Sequence, residues 1–214
     1  ADKLRNRDRW SYSLQHSGTI DSGVTAIGGV GLALNLNRVS DNDYWRDFSI
    51  PTTAISATPR LLPQDATLSW GKGFFSSTLR TVKWQTLQDV SSPITPPYDR
   101  LPQLTAAYTR IDAPLLGLGK GFDWSLDGDF TRFSADSALN RAFSRVQLSQ
   151  PWLWPAGYIT PKVQLHASNY QFESPLPNGA SSASRVVPTF SLDSGLQFER
   201  DATLFGRNLT QTLE

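Results

Sequence analysis

Val30, Leu32, Leu34 and Leu36 alternate with Gly31, Ala33, Asn35 and Asn37, so an extended chain here is apolar on one side and polar on the other. The same rule sets Asp123, Ser125, Asp127, Asp129 and Thr131 against Phe122, Trp124, Leu126 and Phe130. It sets Thr160, Lys162, Gln164, His166 and Ser168 against Ile159, Val163, Leu165 and Ala167. Arg185, Thr189, Ser191, Asp193, Gln197 and Glu199 likewise oppose Val186, Pro188, Phe190, Leu192, Leu196 and Phe198. A period of two over nearly the whole chain implies an all-β, antiparallel up-and-down fold. No helical pattern accompanies it to cover the apolar sides. Those sides must therefore meet another sheet or hydrocarbon.

Composition fits either solvent. The chain has 214 residues, 39% of them hydrophobic, and a mean hydropathy of −0.33. Such polarity suits a soluble protein, and equally a transmembrane barrel, where half of each strand faces a polar lumen. Seven Trp and eleven Phe are many for so polar a chain and call for a surface that takes amphipathic rings. The formal net charge of +1 gives no global electrostatic case for nucleic acid. Without cysteine, disulfides and thiolate metal sites are excluded within this stretch. No apolar run approaches the roughly 18 residues of a transmembrane helix. The chain begins at Ala1 without a charged-then-apolar leader, contains no Met, and opens a fresh strand-like stretch at Asn208 to Glu214. It reads as a segment of something longer, or a processed product.

Alternation predicts strands over Arg9–Thr19, Val24–Val39, Leu61–Trp70, Phe74–Leu87, Leu101–Ile111, Phe122–Phe133, Ala142–Gln150, Tyr158–Phe172, Ser184–Glu199 and from Asn208 onward. The fourth changes parity between Leu79 and Val82, which a bulge or an extension beyond the apolar zone would explain. One short helix is expected within Asp41–Phe48. Tight turns at Asp21-Ser22-Gly23, Gly71-Lys72-Gly73, Gly117 to Gly121 and Trp154 to Gly157 alternate with longer links over 40–57, 89–100, 134–141 and 174–183. An up-and-down sheet sends alternate connections to opposite ends. Short turns at one end and long loops at the other are the asymmetry of outer-membrane barrels. Trp70, Trp124, Trp152 and Trp154 gather beside the tight turns, where an interfacial girdle belongs.

No catalytic constellation emerges. Asp127 and Asp129 share a side, but their spacing of about 7 Å is fixed by strand rise and carries no sign of a glycosidase pair. His16 lies on the apolar parity and His166 on the polar one, neither with a nucleophile or metal-ligand context. Gly71-Lys72-Gly73 and Gly119-Lys120-Gly121 lack the frame and following helix of a phosphate loop. No enzyme, cofactor or metal is expected.

Three blocks near the end carry a resemblance. Arg185-Val186-Val187-Pro188, Phe198-Glu199-Arg200-Asp201 and Thr210-Gln211-Thr212-Leu213-Glu214 resemble, in order and spacing, the barrel domain of the LptD family of lipopolysaccharide assembly proteins. Arg9-Trp10 with His16-Ser17-Gly18, and Val39-Ser40-Asp41 with Tyr44, Asp47 and Phe48, are similar to it as well. The resemblance covers essentially residues 1–214 and implies that they form part of an outer-membrane barrel domain. That barrel would have about 26 strands, near the top of the known range. About ten of them would lie here, as an open, curved sheet. It further implies lipopolysaccharide as the cargo, the lipoprotein LptE as a plug, the periplasmic bridge protein LptA as a contact of an upstream domain, and outer-membrane lipids around the wall. The family's gate seam and disulfide cysteines would lie outside this stretch.

On that reading the lumen-facing candidates are Asn35, Asn37, Asp123, Asp127, Asp129, Arg145, Lys162, His166, Arg185, Asp193 and Glu199. The alternatives from the residues alone are a porin-like diffusion channel and a soluble β-sandwich binding domain.

Overall fold

The computed structural model describes residues 8–21, 28–48, 60–115, 119, 121–135 and 138–213. Its strands are β1 (Ser11–Asp21), β2 (Gly29–Val39), β3 (Leu61–Lys72), β4 (Phe75–Thr86), β5 (Asp99–Ala113), β6 (Phe122–Ser134), β7 (Leu139–Ser149), β8 (Trp152–Trp154), β9 (Gly157–Phe172), β10 (Ser182–Leu196), β11 (Phe198–Leu204) and β12 (Arg207–Leu213). One single-turn helix, α1 (Tyr44–Asp47), lies in the loop after β2. β1 to β7, then β9 and β10, follow one another in a ten-stranded antiparallel sheet, with β8 pairing β9 beside β7. Chain order and sheet order thus coincide. The sheet is open: among the described residues its outermost strands, β1 and β10, do not pair with each other. β11 and β12 form a separate hairpin.

The chain divides into two compact units, Ala1–Ala106 with Gly128–Phe143 and Ser168–Ser184, and Ala107–Asp127 with Ser144–Ala167 and Arg185–Glu214. In the first, register fixes which residues share a side. Leu14, Leu36, Gln64 and Lys83 lie in one row across β1 to β4, and Gln15, Asn35, Asp65 and Val82 in the row behind it. β3 and β4 pair without interruption from Leu61 with Thr86 to Lys72 with Phe75, so no bulge against β3 explains the change of parity in β4. Val82 and Trp84 stand on the polar side, at the long-loop end, where Val82 is buried. The turn between these strands is Gly73-Phe74, with Gly71 and Lys72 still in β3; Gly73 takes a φ of 59°, which only glycine adopts without strain.

The buried apolar cluster of Val39, Leu62 and Leu87, with Tyr44 and Trp45 packed on it, sits at the same long-loop end. The Val39 N–H donates to Gln85 Oε1 at 2.9 Å and Gln85 Nε2 donates to the Val39 carbonyl at 2.8 Å. Mid-strand, burial runs opposite to a soluble sheet. Leu14, Leu68, Leu79, Leu126, Phe130, Val163 and Leu165 are exposed, whereas Asn37, Asp65 and Thr131 are buried.

In the second unit two sequence expectations are corrected. The single strand expected over Ser184–Glu199 is two: β10 stops at Leu196, and the Gln197 N–H donates to the Ala156 carbonyl at 2.9 Å before β11 begins. Phe198-Glu199-Arg200-Asp201 therefore starts a strand, where a strand end was expected. β8 was also not anticipated; Trp152 and Trp154 pair with Ile159 and Gly157, and the turn shrinks to Pro155-Ala156. Pro151, which has no N–H to give a ladder, separates β7 from β8. Ser22 and Gly23, residues 24–27, Gly117, Leu118 and Lys120 lie outside the described residues.

Candidate functional site: the polar side of the sheet

Strand alternation places hydroxyls, amides and charges side by side on neighbouring strands. In the first unit, Ser13 Oγ donates to Asn37 Oδ1 at 2.7 Å, and Asn37 Nδ2 donates to Asn35 Oδ1 at 2.7 Å and to the Pro63 carbonyl at 3.3 Å. One strand on, Arg80 grips Asp65, its Nε lying 3.1 and 3.0 Å from the two carboxylate oxygens, while Thr67 Oγ1 donates to the same carboxylate at 3.1 Å. Asp65 is only 5% exposed, so the guanidinium is what makes its charge tolerable there. Asp129 accepts from Arg141 Nη2 at 2.7 Å, Gln103 Nε2 at 3.0 Å and Thr131 Oγ1 at 2.9 Å.

In the second unit, Arg145 Nε and Nη2 donate to Asp127 Oδ2 at 3.1 and 2.9 Å. Asp123 Oδ1 accepts the Asp112 backbone N–H at 2.9 Å. Lys162 and His166 are half-buried on the polar parity of β9. Arg185 and Asp193 are exposed on β10, and Glu199 is exposed on β11, accepting from Gln197 Nε2 at 3.3 Å.

The long-loop end carries its own network. Arg9 binds Asp41 through two nitrogens at 3.0 Å each, reaches Asp47 at 2.6 Å, and lies over the rings of Tyr44 and Phe48 at 5.4 and 4.9 Å. Burial pushes Asp41 toward the neutral form, but hydrogen bonds from Ser40 and Arg9 outweigh it and hold the carboxyl below its usual value. The Ser91 hydroxyl and N–H, at 2.7 and 2.9 Å, together with Arg46, hold the Asp89 carboxyl down to about 2. Arg60 Nε and Nη2 donate to the carbonyls of Leu87 and Ser92 at 3.0 and 2.7 Å, tying the loop after β4 to the start of β3.

Of the residues expected on this side, Asn35 with Asn37 and Asp127 with Arg145 come together directly. Asp129 instead finds Arg141 and Gln103, and Asp65 finds Arg80; none of these four partners was anticipated. Parity would have found Arg141, which shares the Arg145 side of β7. Asp65 and Arg80 were hidden because Val82 and Trp84 give their side of β4 an apolar end. Trp70 packs on Phe75 at 5.4 Å and Trp124 on Tyr108 at 5.2 Å, while Trp152 and Trp154 are exposed.

Chemically, this side pairs its strand carboxylates Asp65, Asp127 and Asp129 with arginines. Around these pairs it offers water and polyols donors and acceptors whose charge is locally balanced. Residues 7–214 match the family described as LptD, LPS transport system D. The chain is 71% identical over 219 aligned positions to an LPS-assembly protein LptD of Polaromonas sp., 56% over 223 to one of Albidiferax ferrireducens and 52% over 224 to one of Acidovorax sp.. All of this chain is covered, but it spans only 26, 27 and 26% of those relatives. A match over nearly the full chain, at these identities, places it plainly: the chain belongs to the LptD family.

Proposed function

We propose that residues 1–214 are an internal part of the outer-membrane β-barrel domain of a protein that delivers lipopolysaccharide to the outer leaflet, without catalysis. The apolar side meets hydrocarbon and outer-membrane lipids. The polar side lines an aqueous lumen, past which the saccharide moves and against which the plug lipoprotein LptE rests. LptA makes contact through a domain upstream of these residues. Trp70, Trp124, Trp152 and Trp154 form the girdle at the tight-turn end, and Asn35, Asn37, Asp123, Asp127, Asp129, Arg145, Lys162, His166, Arg185, Asp193 and Glu199 face water.

The observation that carries this reading is the reversed burial: exposed Leu126 and Phe130 alternate on β6 with Asp127 and Asp129, which have protein partners. In water such a sheet would show its greasy side to solvent; in a bilayer it is satisfied on both sides.

Because this stretch lacks cysteine, single cysteines test it in the full-length protein. With any cysteines elsewhere blocked, Asp127→Cys and Lys162→Cys are expected to react with a charged, membrane-impermeant maleimide in intact outer membranes. Leu126→Cys and Leu165→Cys are expected to react only with an apolar reagent. Equal labelling of both sets by the charged reagent would refute the wall assignment. Depletion of the protein should remove newly made lipopolysaccharide from the cell surface, which a diffusion channel would not do.

A further inference from the structure

In the first unit the polar-side strand cations Arg80 and Arg141 are held by Asp65 and Asp129, whereas, among the described residues, four cations of the other side at the long-loop end have no such partner. Arg38 on β2, Lys83 on β4, Arg100 on β5 and Arg132 on β6 all have the apolar parity of their strands and are all exposed. All four belong to the first unit. Among the described residues, none of them has a carboxylate within ion-pair distance.

Their heights agree. Lys83 lies in the row of Leu36 and Gln64, one alternate residue (about 6.6 Å) on the turn side of Arg38. The Trp84 N–H donates to Asp99 Oδ1 at 2.9 Å, and Lys83 and Arg100 are each one residue on the turn side of that contact. Gln103 touches Asp129, and Arg100 and Arg132 are each three residues on the loop side of that one. Below this level on the apolar side come Leu79, Leu104 and Phe130, all exposed.

Lys83, Arg100 and Arg132 therefore stand on three consecutive strands, whose backbones are spaced about 4.8 Å apart. Like charges so placed repel one another unless an anion sits among them. Among the described residues, β1 to β7 carry no Asp or Glu of apolar parity at this end. The nearby loop carboxylates Asp41, Asp47 and Asp89 are already held by Arg9 and Arg46. We propose that Arg38, Lys83, Arg100 and Arg132 form a cationic rim, at the upper edge of the hydrocarbon-facing side, that binds the phosphate groups of acidic lipid headgroups. Exposed apolar side chains directly below take the acyl chains. Arginine and lysine stems reach up from hydrocarbon to the headgroup level, where each adds attraction for a phosphate.

This inference rests on the proposed membrane reading, and its test separates the two. Full-length protein is placed in phosphatidylcholine nanodiscs doped with a minor share of lipid A, either phosphorylated or dephosphorylated, and lipid A retained per protein is measured by native mass spectrometry. Wild type is expected to favour the phosphorylated form. Lys83→Gln/Arg100→Gln/Arg132→Gln is expected to lose that preference by at least about tenfold, since three cations near the lipid surface are removed. Arg100→Lys/Arg132→Lys should keep most of it. Equal retention of both lipids by wild type, or an unchanged preference in the Gln variant, would overturn the rim while leaving the transport reading intact. A wild-type protein unable to enter the bilayer would overturn both.

Discussion

Asp65 and Asp127 have the same kind of partner but not the same surroundings. The side chains of Asp65 and Arg80 are 7 and 31% exposed, those of Asp127 and Arg145 25 and 43%. Removing a partner from a buried carboxylate leaves an uncompensated charge, so Arg80→Ala should destabilise the folded barrel by about 3 kcal/mol. Arg145→Ala should cost below about 1 kcal/mol, because water replaces the guanidinium. Asp65→Asn/Arg80→Ala should regain most of the loss. Urea titrations of heat-modifiable migration in the full-length protein would measure all three. A second residue-scale constraint is Gly195, where an added Cβ would lie 2.5 Å from Tyr158 Cε1. Gly195→Val is therefore expected to lower the folded fraction, and Tyr158→Ala in the same chain to restore much of it. No rescue in the double variant would show that the ring is not what excludes a side chain.

Strands were legible as elements because each residue of the alternation reports one of two environments, and few helical competitors interrupt it. What alternation cannot see is a break that conserves parity. Leu196 and Phe198 continue the same side across the end of β10, so the two strands read as one. β8 escaped because three residues between prolines are too short to show a period. Alternation assigned Asp127, Asp129 and Arg145 to one side without saying which would pair; β4 hid Arg80 because loop-end burial adds apolar residues to its polar side. Which strands lie beside which follows from the short connections, but the heights of Lys83, Arg100 and Arg132 come only from cross-strand contacts such as Trp84 with Asp99 and Gln103 with Asp129. The loops at this end are elements with a chemistry of their own. The Asp89 carboxyl is lowered to about 2, so its contribution is complete above the ordinary carboxylate value and lost as pH falls through about 2. Between about pH 4 and 2, Trp45, which packs on the loop-end cluster and whose ring has the Arg46 and Arg60 guanidiniums over it at 5.4 and 5.5 Å, should change its fluorescence. Asp89→Asn should reduce that step. An identical acid transition in the variant would place its origin elsewhere.

At the scale of the molecule, the sheet ends in two strands, β1 and β10, with open edges, and one of its sides is apolar. Unpaired backbone cannot face hydrocarbon, and in water the same edges recruit other copies. Residues 1–214 expressed alone are therefore expected to aggregate, and to stay polydisperse in detergent by size-exclusion chromatography. A monodisperse monomer would mean that these edges close on something within the chain. Because each strand lies beside its predecessor, the sheet can grow by adding one hairpin at a time to a single advancing border. At every stage the incomplete wall presents two ragged margins to its surroundings, whatever its width. Such a wall has no stopping point of its own, so its growing margin has to be kept from other polypeptides until both margins are paired.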